Sequence, residues 1–202
     1  MTTITHQSIS DRQLEIIEAA GKILSASGVS GLTIKNLAKE MKFSEAALYR
    51  HFSSREEIIL ALLNYLASSI SERVEYSISV YEHPQDKFKA LFRNQLQFFN
   101  ENPHFVVAVF SDGLMEETNR INEAISRLLS NKMAVLMPIL MLGQQSGTFT
   151  NAITTEELMH VVMGAFRLFM FKWRLAHFEF DLVRHGDNMI ESLLTLIRTK
   201  SS

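Results

Sequence analysis

The chain has 202 residues, 47% of them hydrophobic and 21% charged, so it can bury a sizeable core and its composition does not force disorder. It has no cysteine, which excludes disulfide frameworks, thiolate catalysis and cysteine-ligated zinc together and makes a reducing compartment the compatible default. Net charge is −2 but unevenly placed: residues 1–55 carry seven Lys/Arg against five Asp/Glu and residues 56–202 thirteen against seventeen, so the N-terminal quarter is the more basic part.

Only 3 prolines and 8 glycines punctuate this length, which favours long helices over short strands. Residues 1–10 are polar, lack the apolar core of a secretory signal and read as a flexible arm. Leu14, Ile17, Gly21 and Leu24 then recur at helical spacing, predicting a helix over 11–27 that Gly28 terminates. Thr33 caps a stripe of Ile34, Leu37, Ala38 and Met41; Lys42 and Phe43 interrupt it; Ser44 caps a second short helix with Ala47, Leu48 and Phe52. Two short helices across a tight turn make a helix-turn-helix over residues 33–52. Ser53 with Glu56, or Ser54 with Glu57, fits a capping box that starts a long helix running to about 80.

Further helices are expected over 85–101, in a short segment at 104–112, and over 116–142, where Pro138 is placed to kink the helix. Gly143 to Gly147 reads as a loop. Helices follow from Thr154 or Thr155 to about 177 and from Asp181 to about 198. The longest uninterrupted apolar run, 133–143, falls short of the roughly 18 residues that argue for a membrane span. The expectation is an all-α, cytoplasmic protein with no membrane association. The helix over 157–177 is apolar on more than one face and the last helix offers Met189, Ile190, Leu193, Leu194 and Ile197, which together predict a homodimer through these two helices; a wholly intramolecular core is the alternative.

The second helix of a helix-turn-helix lies in the major groove. Small side chains let the backbone approach DNA, and here Ser44, Glu45, Ala46 and Ala47 open that helix. Ala46 can lie against a thymine methyl and Glu45 can accept from a cytosine amino group, or Glu45 simply complements the helix dipole. Tyr49, Arg50 and His51 come a turn later, where they can reach phosphates or sit as ordinary surface residues. Arg55, with the first amides of the next helix, can hold another phosphate.

GLTIKNLAKEM, KFS, EAALYRHF and SSREEI resemble in sequence the DNA-binding helices of the TetR family of bacterial transcriptional regulators. The resemblance covers roughly residues 14–65 and implies a fold of about nine helices. Residues 11–55 would form a three-helix DNA-binding domain and residues 56–202 an effector-binding and dimerisation domain. It also implies Thr33 and Lys35 on the DNA backbone, Ser44 to Ala47 at the bases of a double-stranded operator, and Tyr49, His51 and Arg55 on phosphates. Lys42 stands where the family usually has Gly, Arg55 where Lys is usual, and Glu45 where a basic or small residue is common, so no operator sequence is carried over.

Family members of this size are typically homodimeric repressors released by a small molecule. The aromatic and thioether side chains Phe92, Phe99, Phe110, Met133, Met137, Phe166, Met170 and Trp173 are candidates to line a pocket for a small hydrophobic effector, or to be plain core. Gln95, Asn119, His160, Arg167 and Arg174 are the polar candidates near them.

No enzyme is expected. There is no Gly-x-Ser-x-Gly elbow, no phosphate-cradling glycine loop and no His-Glu-x-x-His, and no cofactor motif is present. Glu157 and His160 have the spacing of a di-metal helix motif but no second copy, so no metal site is expected. Two rival readings remain. SEAALYRHF also resembles the reading head of nucleoid-occlusion DNA-binding factors, and the helical body could be a lipid carrier without DNA activity.

Overall fold

The computed structural model describes residues 9–110 and 112–199. Among them are nine α-helices and no strand beyond a single bridge pairing Phe149 with Arg198. Most of the expected flexible arm lies outside the described residues. Its last residue, Ser10, caps the first helix, α1 (Asp11–Gly31), in a reciprocal box with Gln13. Gly28 breaks α1 near its end at φ 67°, a left-handed conformation that glycine adopts without steric cost.

Helices α2 (Ile34–Met41) and α3 (Glu45–Tyr49) form the head with α1, and α4 (Arg55–Ser79) leaves it. The expected domain boundary therefore falls on the first turn of α4. Each of these starts is a local hydrogen bond: the hydroxyls of Thr33, Ser44 and Ser54 accept from the amides of Asn36, Ala47 and Glu57. Lys42 adopts the left-handed conformation (φ 57°, ψ 40°) that the turn requires, donating its amide to Ala38 and Lys39. The turn keeps its geometry without glycine, at a cost of about 1 kcal/mol.

The body comprises α5 (Pro84–Glu101), α6 (Val106–Phe110), α7 (Asn119–Gln145), α8 (Thr155–Leu175) and α9 (Leu182–Ile197), with 3-10 turns at Pro103–Phe105 and Asp112–Glu116. Helix α4 packs on α5 and α7, α5 on α9, and α7 on α8. One continuous core runs from Ile16 to Ile197, threaded by the ring contacts Phe88–Phe92, Phe92–Phe166, Phe166–Phe110 and Phe110–Phe99.

The C-terminal end of α7 differs from expectation. α7 runs on through Pro138 and through Gly143, and the loop begins only at Ser146. Gly143 does not end the helix. A Cβ there would lie 1.9 Å from the Phe149 ring, so the glycine makes room for a buried aromatic that folds back from the loop. α7 also contains an 18-residue window of mean hydropathy 1.4, long and apolar enough by composition to cross a bilayer. Ile121, Ala124, Leu128, Leu136, Ile139 and Leu140 of this helix are buried against neighbouring helices, and 28% of the window is buried.

Candidate nucleic-acid interface and effector cavity

Leu37, Ala38 and Leu48 anchor the head by burial, which turns the opposite faces of α2 and α3 outward. Ser44, Glu45 and Ala46 are exposed, and Ala47 is half-buried behind them. Thr33, Lys35, Arg50 and His51 are exposed as well, and Tyr49 is 52% exposed. A patch of small side chains flanked by cationic and hydroxyl groups therefore faces outward on one short helix. The His51 carbonyl accepts from the Gln13 amide nitrogen at 3.4 Å, and the Arg12 guanidinium lies 5.2 Å from the Phe43 ring, so α1 braces both ends of α3.

Arg55 sits elsewhere than expected. Its guanidinium donates to the carbonyls of Leu32 and Val29 and makes a bidentate pair with Glu117, with N–O distances of 2.6 and 3.0 Å. Four of its five N–H donors are thus engaged inside the protein, where a phosphate cannot compete without breaking them. Donation from Arg55 holds the Glu117 carboxyl below the usual carboxylate range. Beside this pair, Thr118 donates to Glu56 at 2.6 Å, and Arg120 bridges Glu56 and Glu57, each at 2.8 Å. Segment 117–120 is therefore stitched to the first turn of α4.

A cavity of about 360 Å³ opens between α6, the turn Asp112–Glu116, α7 and α8. Phe110, Met133 and Phe166 line it as expected, together with Met115, Met159 and Met163. The other candidates do not line it. Phe92, Phe99, Met170 and Trp173 are buried core, with the Trp173 indole donating to the Phe180 carbonyl, and Met137 lies a turn beyond Met133. His160 and Arg167 are on the cavity wall, whereas Gln95, Asn119 and Arg174 are not.

Lys132 is the lining residue that reasoning from pocket aromatics missed. It is 8% exposed, its ammonium lies 5.1 and 5.7 Å from the ring centres of Phe110 and Phe99, and burial lowers its pKa to about 8. The signal was in the sequence: Lys132 stands four residues from both Leu128 and Leu136 on an otherwise apolar stripe. Glu157 is spent on the N-cap of α8, where it and Thr154 form a capping box, and no metal-binding cluster occurs among the described residues.

On α8, Val161, Gly164, Leu168, Phe171 and Leu175 are all exposed and alternate three and four residues apart, the spacing of a helix-pairing seam. Leu168 is 60% exposed, Leu175 62%, and Leu196 on α9 74%.

The family model for bacterial regulatory proteins of the tetR family matches residues 16–62, and that for the C-terminal region of YsiA-like proteins matches residues 64–196. The nucleoid occlusion factor SlmA of Vibrio vulnificus is 29% identical over 132 residues, spanning 65% of this chain and 67% of that protein. The fatty acid metabolism regulator protein of Bacillus subtilis is 20% identical over 189 residues, 94% of this chain and 97% of that protein. Among solved structures, the transcriptional regulator FadR of Bacillus subtilis in complex with stearoyl-CoA superposes with a TM-score of 0.79 at 19% identity, covering 90% of this chain and 97% of that one.

Proposed function

The chain belongs to the TetR family of bacterial regulatory proteins, and we propose that it is a cytoplasmic homodimeric repressor that a small hydrophobic effector releases from its operator. Residues 11–55 read the operator, with Ser44, Glu45, Ala46 and Ala47 at base edges and Thr33, Lys35, Tyr49, Arg50 and His51 on the backbone. Residues 56–202 bind effector and pair the subunits through the α8 seam and α9. Pairing sets two α3 helices roughly 34 to 36 Å apart for successive major grooves.

One observation carries the release mechanism. The segment between α6 and α7 contributes Met115 to the cavity wall and, two residues later, Glu117 to the guanidinium that grips the Val29 and Leu32 carbonyls at the junction of α1 and α2. An effector that displaces Met115 acts directly on the support of the reading head. Release then needs only a differential affinity of about 1 to 3 kcal/mol between the two arrangements.

The test is to sequence genomic fragments that the purified protein retains, identify co-purified ligand by native mass spectrometry, and titrate that ligand into the complex. The reading expects weaker operator binding with ligand, and unchanged affinity refutes it. Tyr49→Phe should weaken all fragments alike, whereas Ala46 or Glu45 substitutions should change which fragments win. The identity with SlmA favours a second reading, a nucleoid-occlusion factor. Many dispersed retained sites that do not respond to ligand would select it. Absence of any salt-sensitive DNA complex would leave the lipid-carrier reading.

A further inference from the structure

Among the described residues, fourteen line the cavity; none of these is acidic, and three, Lys132, His160 and Arg167, bear or can bear positive charge. Lys132 stands out because it lies within the fold on α7, with its ammonium beside two aromatic rings that pack on each other. No carboxylate pairs with it among the described residues. Taking an ammonium out of water without a counter-ion is costly, and an apolar side chain of the same length would fill the position at no such cost. Ring faces offset only part of it, because they are weaker partners than an anion. Its pKa of about 8 leaves it cationic at neutral pH. The rest of the wall is overwhelmingly apolar, with Met115, Met133, Met159 and Met163 supplying flexible surface that adapts to a chain.

Accepting the cavity as the effector site proposed above, we propose that its ligand is an amphipathic monocarboxylate, with the carboxylate against the Lys132 ammonium and the hydrocarbon along the methionine wall. Lysine suits this role as a compact charge with three donors on a flexible stem. At about 360 Å³ the cavity is well above the roughly 150 Å³ that holds benzene and near the low end of ligand pockets. It therefore has room for one medium-length chain with a single small head group.

Decanoate and its methyl ester share the chain and differ in the charge, so calorimetric titration of ligand-stripped full-length protein separates the contributions. Wild type should bind decanoate at least about tenfold more tightly than the ester, the scale of one charge-assisted contact. Lys132→Met, similar in length and apolar, should lose that preference while binding the ester as well as or better than wild type, which also shows that the variant is folded. Equal binding of acid and ester by wild type, or undiminished decanoate binding by Lys132→Met, overturns the proposal, as does failure of both probes to bind. Decanoyl-CoA binding more tightly than decanoate and indifferent to Lys132→Met overturns it in favour of a thioester ligand. Decanoate that binds through Lys132 but leaves operator affinity unchanged upholds the proposal and sinks the release mechanism instead.

Discussion

Replacing Lys132 should make the ligand-free protein more stable. The lysine pKa falls from 10.5 to about 8 in the fold, with burial as the cause. At about 1.4 kcal/mol per unit, the charged form costs the native state about 3 kcal/mol. Below pH 8 lysine is charged in both states and the whole cost is felt. Between about 8 and 10.5 the unfolded chain holds the proton and the native state does not, so stability rises with pH; above that the cost is gone. The ring contacts with Phe99 and Phe110 return part of the energy and are lost with the charge. Lys132→Met should therefore gain about 1 to 3 kcal/mol at pH 7, and the gain should vanish by about pH 10.5. Urea denaturation of stripped protein at fixed subunit concentration measures both limits, since the slope with denaturant should be unchanged. A variant no more stable than wild type at pH 7, with an identical pH profile, would refute the assignment of Lys132 as an uncompensated buried cation.

Glu117→Gln keeps the shape of the Arg55 clasp but removes its charge. It should reduce the effector's effect on operator affinity a few-fold, about 1 kcal/mol, measured as the ratio of anisotropy-derived constants with and without ligand. His104 lies against Gly21 of α1, its Nε2 is buried without a partner, and burial, then Lys22, lowers its pKa. Its native state resists protonation, so stability should fall as pH drops below 6.5 towards the lowered value, and His104→Leu should flatten that decline in denaturation curves. Gly143→Ala places a methyl within 1.9 Å of the Phe149 ring and should cost about 2 to 3 kcal/mol, visible as a lower calorimetric Tm. Leu168→Glu, on the exposed seam, should yield a folded monomer by sedimentation velocity that binds operator weakly; persistence of the dimer would move the interface elsewhere.

Helix starts were legible because a cap is local chemistry: Thr33, Ser44, Ser54, Thr154 and Asp181 each accept an amide from three residues ahead. The outward face of α3 was legible for a related reason, since alanines beside a buried leucine at helical spacing cannot all turn inward. Gly143 reads as a loop residue in sequence, yet it lies within α7 and admits the Phe149 ring, a tertiary fact that no window of sequence contains. Arg55 reads as a phosphate contact only through its place in the sequence beside the helix-turn-helix; in the structure its partners are the Val29 and Leu32 carbonyls and a carboxylate 62 residues on. The pocket aromatics were over-assigned for a physical reason. Phenylalanine is as useful to a packed core as to a cavity wall, and only the polar interruption at Lys132 separates the two.

Departures from what stability alone would favour concentrate along the proposed path from effector to DNA. Local rules are broken by a lysine in an apolar stripe, a lysine in a left-handed turn, a half-buried histidine whose Nε2 has no hydrogen-bond partner, and an exposed apolar seam on α8. The head meets the body partly through two unlike contacts: the packing of Gly21 against His104 and Phe105, and the hydrogen-bonded clasp of Arg55 with Glu117. Packing against ring edges tolerates small rotations at little cost, whereas a bidentate clasp is lost over a displacement of about an ångström. Motion of the turn Asp112–Glu116 should therefore leave the head attached through α1 while breaking the Arg55–Glu117 pair that holds the guanidinium against the Val29 and Leu32 carbonyls. The same element can then support the reading head in one state and let it swing in the other without unfolding any helix.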